Sequence, residues 1–147
     1  MERLTRQLYL TMKLVRDRLE ERLAALGGSV QQWVLLRALA SEPKLSHREL
    51  AARTYLSGPT LTHHLDRMEA LGLLTRTRDV VDRRVVHVAL TPTGRDHYDR
   101  LEAEAVAADA DVRAHLTVDE ATTLHHLLTA LHERMVDTPL VGEHRAS

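Results

Sequence analysis

Residues 79–91 read DVVDRRVVHVALT, a charged turn between two runs of β-branched residues, and this stretch constrains the fold more than any other. Because β-branched side chains favour strands, Leu73 to Arg78 and Val85 to Leu90 are predicted to form a two-stranded hairpin. Arg83 and Arg84 stand in the turn between these strands. The hairpin is therefore predicted to carry an exposed basic tip, a shape suited to probing a groove of DNA.

Two short helix signals precede this hairpin. Ser46 with Glu49 forms a capping-box pattern that opens a helix through about Arg53. Ser57 can cap a second helix, which tolerates Pro59 in its first turn. The predicted order is helix, turn, helix, strand, charged tip, strand. That order is typical of a winged helix-turn-helix, which is a mainly α fold (α+β wing).

Amphipathic helices are predicted on both sides of the winged segment. The first ends before Gly27-Gly28, and a helix from Ser29, in a capping-box pattern with Gln32, runs to about Ala40. After the hairpin, one helix opens at Pro92 and a last one begins near Thr117. The apolar stripes are Leu4, Leu8, Met12, Val15, Leu19 and Leu23 in the first helix, and Ala121, Leu124, Leu127, Leu128, Leu131 and Met135 in the last. Such stripes exceed what a small winged domain can cover, so they indicate an interface.

Composition removes several classes of function. The 147 residues include no cysteine, which excludes disulfides, thiolate nucleophiles and zinc–cysteine sites. The sequence has no Gly-rich phosphate loop, no His-Glu-x-x-His and no Gly-x-Ser-x-Gly, so we expect no enzyme and no cofactor. No apolar run is long enough for a membrane span, and the charged start is unlike a signal peptide, so a cytoplasmic protein is expected.

Ten histidines raise the possibility of a metal site, but their spacing argues against one. His63-His64 and His125-His126 are adjacent pairs whose members point different ways on a helix. We therefore predict no metal site, although His125 and His132, two turns apart, leave open a site assembled across a dimer.

Charge is distributed unevenly along the chain. Residues 44–95 carry nine Lys/Arg against five Asp/Glu, for a net charge of +4, whereas residues 96–147 carry four against eleven, for −7. The basic segment coincides with the predicted helix-turn-helix and hairpin. This placement is expected of a protein that binds DNA through that segment, with the acidic segment facing away from the phosphates.

The middle of the chain resembles the MarR-type transcriptional regulators. The family's pattern runs from an Asp-Arg-Leu-Glu sequence through Gly-Leu to a wing of the form Asp-x-Arg, followed by Val-x-Leu-Thr-x-x-Gly. The residues that match it are Asp66-Arg67-Met68-Glu69, Gly72-Leu73, Asp82-Arg83-Arg84, Val88-Ala89-Leu90-Thr91 and Gly94. The resemblance implies a homodimer on a pseudo-palindromic operator, with residues 1–28 and 92–147 as the helical dimerisation region and residues 29–91 as the winged helix-turn-helix. A repressor is expected rather than an activator, because blocking a promoter needs only occupancy.

The DNA-contacting residues are expected on the second short helix and the wing. Leu61, Leu65, Met68 and Leu71 recur on one helix face, which leaves Thr60, Thr62, His63 and Arg67 pointing outward. By resemblance, Arg84 enters the minor groove with Asp82 holding its guanidinium. Arginine commonly stands in the family where His63 stands here, and proline where Val80 stands, so a less rigid wing tip is expected. The full predicted set is Arg48, Ser57, Pro59, Thr60, Thr62, His63, Arg67, Arg76, Arg78, Asp82, Arg83 and Arg84, with Arg53 adding to phosphate contact.

The resemblance also implies a small aromatic or phenolic effector between the dimerisation helices and the winged domain. The candidate ligand-binding residues are Tyr9, Met12, Arg16, Trp33, Arg37 and Tyr55. Trp33 is the only tryptophan in a chain without phenylalanine, and it either lines such a pocket or fills the core. A second class of function also stays open, a winged helix used as a protein interaction module without specific DNA binding.

Overall fold

The computed structural model describes residues 3–138 and has six helices and a small antiparallel sheet in that range. The elements are α1 (Leu4–Ala24), α2 (Val30–Ser41), β1 (Leu45–Ser46), α3 (His47–Thr54), α4 (Gly58–Ala70), β2 (Leu74–Arg78), β3 (Val86–Leu90), α5 (Pro92–Arg113) and α6 (Val118–Val136). The predicted mainly α fold with a β wing is confirmed. The described residues fall into two compact units, residues 3–108 and 109–138, and the boundary between them lies within α5. Among the described residues, no helix is long and apolar enough to cross a membrane.

Side-chain caps fix several of the helix starts. Both hydrogen bonds of the predicted Ser46–Glu49 capping box are present at the start of α3. At α2 only half of the predicted box forms: the Gln32 backbone N–H donates to Ser29 Oγ over 3.1 Å. The Gln32 side chain instead lies 3.4 Å from Nε2 of His97, in the interior. The sequence pattern was therefore right about the cap and wrong about the second hydrogen bond.

The sheet has three strands in the order β1-β3-β2, all antiparallel. The two predicted strands pair in register from Leu74 opposite Leu90 to Arg78 opposite Val86. The third strand, β1, was missed; its Leu45 pairs with Val88. Two residues are too short to show the alternation by which a strand is recognised in a sequence.

One hydrophobic core lies in the first unit and fixes α4. Leu61, Leu65 and Met68 of α4 are three of the core's thirteen buried side chains, and most of the other ten are leucines from α2, α3, α5 and the sheet. The prediction that Leu71 joins this face was wrong, because its side chain is 57% exposed. Leu71 follows the last helical residue, and Gly72 next to it adopts a φ of +72°, which turns the chain out of the helical path.

The wing is joined to α5 by a close backbone approach at Gly94. A Cβ atom placed on Gly94 would lie 1.8 Å from the carbonyl oxygen of Leu73. The Gly94 N–H donates to Thr91 Oγ1 over 2.9 Å, and this hydroxyl donates to the Gly72 carbonyl over 2.6 Å. Only glycine fits this junction, because any side chain would meet the backbone of the segment that leads into β2.

The helices at the two ends of the described range carry apolar side chains that their own unit does not cover. In α1, Leu23 is the buried residue, and Tyr9, Met12 and Leu14 are each more than half exposed. In α6 no residue is buried, and Leu127 and Met135 are 64% and 63% exposed. Each helix therefore presents an apolar face to its surroundings, as the stripes in the sequence predict.

Candidate nucleic-acid interface

The outer face of α4 carries the polar residues expected there. Thr60, Thr62, His63 and Arg67 are exposed, while the buried leucines hold the opposite face in the core. The predicted side-chain cap by Ser57 is absent, because Ser57 Oγ forms a hydrogen bond with Thr60 Oγ1 over 2.8 Å instead. Ser57 therefore supplies no side-chain acceptor to the first turn of α4, in which Pro59 has no N–H and the Leu61 N–H donates to the Ser57 carbonyl over 2.9 Å.

One residue that contacts this face, His47, was not predicted from the sequence. Nε2 of His47, the first residue of α3, lies 3.2 Å from Thr62 Oγ1. The two residues are fifteen positions apart and belong to different helices, so only the turn between α3 and α4 brings them together. The sequence offered one sign of this contact: His47 directly follows the Ser46 cap and is therefore fixed at the first position of α3.

Arg84 and Asp82 form the wing arrangement that the resemblance implies. The Arg84 side chain is 91% exposed, and its Nε and Nη2 donate to Asp82 Oδ1 and Oδ2 over 3.1 and 3.2 Å. The Asp82 carboxylate also accepts the Arg84 backbone N–H over 3.0 Å. These bonds from Arg84 lower the pKa of Asp82, so the carboxylate stays charged and fixes the direction of the guanidinium.

Asp79 holds the wing tip in place. Its Oδ1 accepts the backbone N–H groups of Val81 and Asp82 over 2.8 and 3.0 Å, and its Oδ2 lies 2.9 Å from Nε2 of His87. These bonds, the one from the Asp82 N–H first, lower the pKa of Asp79 from 3.8 to about 2. Val80 and Val81 at the tip are 95% and 93% exposed. The tip without proline therefore has a defined turn, because a carboxylate supplies the constraint.

Arg76 faces the protein more than the solvent. Its backbone N–H, Nε and Nη2 all donate to the Glu69 carboxylate, and Nη2 also lies 2.6 Å from Asp66 Oδ1. These contacts tie β2 to α4. The hydrogen bonds that Arg76 donates to Glu69 lower the pKa of Glu69 and raise the pKa of Arg76, so both groups keep their charge. The contact of Arg76 with phosphate stays a prediction, although its guanidinium already forms ion pairs with Glu69 and Asp66.

The other predicted basic residues differ in how freely they can reach DNA. Arg48, Arg78 and Arg83 are exposed. Arg53, which was expected to add phosphate contact, forms an ion pair with Glu42. Pro59, also in the predicted set, is exposed in the first turn of α4.

The effector candidates lie in the first unit, and two of them are in contact. The Arg37 guanidinium carbon stands 5.6 Å from the centre of the Trp33 ring. Trp33 Nε1 donates to Glu102 Oε2 over 2.7 Å, a partner that sequence reasoning missed. Trp33 is half-buried against the core, and its alternative role as a core residue is therefore partly realised. Of the remaining candidates, Arg16 is exposed, and Tyr9, Met12 and Tyr55 are 59%, 55% and 65% exposed.

The histidines do not assemble into a metal centre within the described range. Between residues 3 and 138, no group of three or more histidine, aspartate or glutamate side chains is placed to hold a metal ion. The rings of His125 and His126 on α6 are 6.2 Å apart and tilted. The site that His125 and His132 could form across a dimer stays a prediction.

Comparison with known proteins places the chain among transcriptional regulators. The sequence model of the MarR family matches residues 26–85. The homoprotocatechuate degradative operon repressor of Escherichia coli is 35% identical over 98 residues, which are 67% of this chain and 66% of the repressor. The alignment thus spans just under two thirds of that relative. An HTH-type transcriptional repressor of Mycobacterium tuberculosis is 32% identical over 84% of this chain and 89% of its own length.

A solved structure shows the same fold on DNA. A variant of MarR from Escherichia coli, complexed with operator DNA, superposes with a TM-score of 0.81 at 25% identity and covers 87% of this chain and 92% of its own. Over 87% of its length, this chain thus has a fold similar to that of a protein solved with its operator DNA. Together with the match to the family model and the near full-length relative, this shows that the chain belongs to the MarR family of winged-helix transcriptional regulators.

Proposed function

We propose that this regulator represses transcription by binding, as a homodimer, to a pseudo-palindromic operator in double-stranded DNA. The observation that carries the proposal is the pairing of an exposed polar face on α4 with a basic wing whose Arg84 is held outward by Asp82. A helix and a wing of this kind can occupy the major groove and the adjacent minor groove together.

The two elements would divide the work of recognition. Thr60, Thr62 and His63 stand where the N-terminal part of α4 would meet base edges, and Arg67 would reach phosphate. Arg84 would enter the minor groove, where the narrow groove of A·T-rich DNA attracts an arginine. Arg83 would contact the backbone. Exposed arginines supply affinity through counterion release, so binding should weaken steeply with salt.

A homodimer is supported by the uncovered apolar faces. The α6 helix buries none of its residues within the described chain, although Leu124, Leu127, Leu128 and Leu131 share its apolar stripe. Packing such a stripe against the same stripe of a second copy removes both apolar surfaces from water, which is favourable. Two-fold symmetry then predicts half-sites about 10 bp apart, centre to centre.

A small aromatic carboxylate or phenol is the proposed effector class. The proposal rests on family resemblance, on the name of the Escherichia coli relative, which refers to an operon that degrades an aromatic acid, and on the contact of Arg37 with Trp33. Arg16 and Arg37 would supply positive charge for a carboxylate, and Tyr9, Met12, Trp33 and Tyr55 apolar or aromatic surface. Such a ligand would release DNA by favouring a dimer whose recognition helices are wrongly spaced.

No catalytic activity is part of this proposal, and a transcriptional regulator of this kind would act in the cytoplasm. The competing function is a protein interaction module whose basic wing is incidental. The two differ in DNA binding: a regulator should bind DNA with a strong salt dependence that is lost in Arg84→Ala, whereas an interaction module should show neither.

Selection of duplexes from a random pool at about 150 mM salt tests the proposal, since specific binding survives at that ionic strength. We expect an enriched inverted repeat. Arg84→Ala should weaken binding to it about ten-fold or more and reduce the salt dependence, because one positive charge at the DNA is lost. Arg113→Ala is the matched control, because Arg113 also pairs with an aspartate, Asp109, but lies outside the winged segment. A folded dimer that enriches no sequence, or equal loss in both variants, would refute the proposal.

A further inference from the structure

The Thr62 side chain is exposed on α4, but its hydroxyl group forms two hydrogen bonds within the protein. Oγ1 donates its single hydrogen to the Gly58 carbonyl over 3.0 Å. Nε2 of His47 lies 3.2 Å from the same oxygen. Because a hydroxyl has only one hydrogen to donate, His47 must be the donor in this second contact. The Thr62 oxygen thus gives one hydrogen bond and accepts one.

This arrangement limits what Thr62 can recognise. A hydroxyl oxygen accepts two hydrogen bonds, so one acceptor position remains free on the exposed side. In the major groove the donors are the amino groups N6 of adenine and N4 of cytosine, whereas guanine N7 and O6 are acceptors, as are phosphate oxygens. Thr62 in this state can accept from an amino group and cannot donate to guanine or phosphate.

His47 selects this state of the side chain. A threonine within a helix divides between two χ1 rotamers, because its oxygen can reach a carbonyl of the preceding turn in more than one way. His47 occupies a fixed place, since it is the first residue of a helix that is closed by a capping box and anchored by the buried Leu50. Its N–H therefore favours the rotamer in which Oγ1 bonds both Gly58 and His47.

We propose that His47 is a positioning residue that makes Thr62 a dedicated acceptor for one adenine or cytosine amino group in each half-site. The inference rests on the proposed function, because it needs α4 to lie in the major groove. It assigns a specificity to one position of the operator and gives His47 a role in recognition without contact between His47 and DNA.

The test uses the full chain, the operator selected by the wild type and duplexes in which one amino group at a time is removed. Purine replaces adenine, and 2-pyrimidinone replaces cytosine. At one position per half-site the wild type should lose about five- to ten-fold in affinity, the value of one hydrogen bond. Thr62→Val and His47→Ala should each bind the intact and the modified duplex equally well. His47→Gln, which keeps a donor, should restore the discrimination.

Two further comparisons separate positioning from a general loss of structure. His115→Ala removes an exposed histidine near the start of α6 and should keep full discrimination. Thr62→Val combined with His47→Ala should behave as either single variant, because the two residues act through one oxygen. Full discrimination in folded His47→Ala, or additive losses in the double variant, would overturn the inference and leave the DNA-binding proposal intact. Failure of the wild type to select any operator would overturn both.

Discussion

Replacing Gly94 by alanine should destabilise the protein strongly, because the new methyl group has no space. The added Cβ would lie 1.8 Å from the Leu73 carbonyl oxygen, whereas ordinary contact begins at 3.4 Å, so the two atoms must separate by about 1.6 Å. The obstacle is backbone, which cannot rotate away as a flexible side chain can.

The size of the effect follows from the hydrogen bonds that this separation disrupts. Gly94 N–H donates to Thr91 Oγ1, Thr91 Oγ1 donates to the Gly72 carbonyl, and the Thr91 N–H donates to the Leu73 carbonyl over 3.1 Å. Each such bond contributes about 1 kcal/mol net, so the free energy of unfolding should fall by about 3 kcal/mol. The higher helix propensity of alanine offsets at most about 1 kcal/mol of this loss.

Urea denaturation followed by circular dichroism, at one fixed protein concentration, measures this loss. Two glycines serve as controls, since a Cβ at either meets no atom within 4 Å. Gly58→Ala should be close to neutral, and Gly72→Ala, with its φ of +72°, should cost roughly 1 to 2 kcal/mol. A loss for Gly94→Ala no larger than that for Gly72→Ala would refute the steric argument.

Three further expectations concern the wing, the tryptophan and the last helix. Because the folded pKa of Asp79 is lowered to about 2 from 3.8, its contribution to wing stability is complete above pH 3.8 and is lost as the pH falls toward 2; an NMR titration of its carboxylate with a midpoint near 3.8 would contradict this. Glu102→Ala, which removes the acceptor of the Trp33 indole N–H, should lower the free energy of unfolding by about 1 kcal/mol in thermal denaturation. Glu102→Gln, which keeps an acceptor, should lower it by less, and equal losses would argue against the hydrogen bond. Leu127→Asp should shift the protein toward monomer in sedimentation at micromolar concentration, whereas Thr123→Asp, exposed on the same helix, should not; a dimer unaffected by Leu127→Asp would exclude this stripe from the interface.

The sequence was sufficient to predict features that depend on neighbours along the chain. The helix start at Ser29 follows from its hydroxyl, which accepts the Gln32 N–H, and that at Ser46 from a hydroxyl and a carboxylate three residues apart. The pairing of Asp82 with Arg84 spans two positions in a turn and was implied by the family pattern. The buried face of α4 was predicted except at Leu71, where the positive φ of Gly72 ends the helical period.

Contacts that depend on the meeting of separate elements were beyond the sequence. The engagement of Arg76 by Glu69 and Asp66 requires the register of β2 against α4, so Arg76 looked like any other basic residue. The contact of Trp33 with Glu102 joins residues sixty-nine positions apart. From the sequence alone, Arg76 and Trp33 could each contact many other carboxylates. The packing of the leucine core brings these particular residues together.

The bonds that join Arg76 to Glu69 and Asp66 have a mechanical consequence for regulation. They connect the recognition helix to the first wing strand, and the Gly94 junction connects the wing to α5, so helix and wing resist being moved independently. We therefore expect a signal that releases DNA to leave the internal structure of this helix and wing unchanged. In the proposed homodimer, such a signal would instead move each helix and wing together, as one body. The distance between the two recognition helices, more than the structure of either, would then be the quantity that controls operator binding.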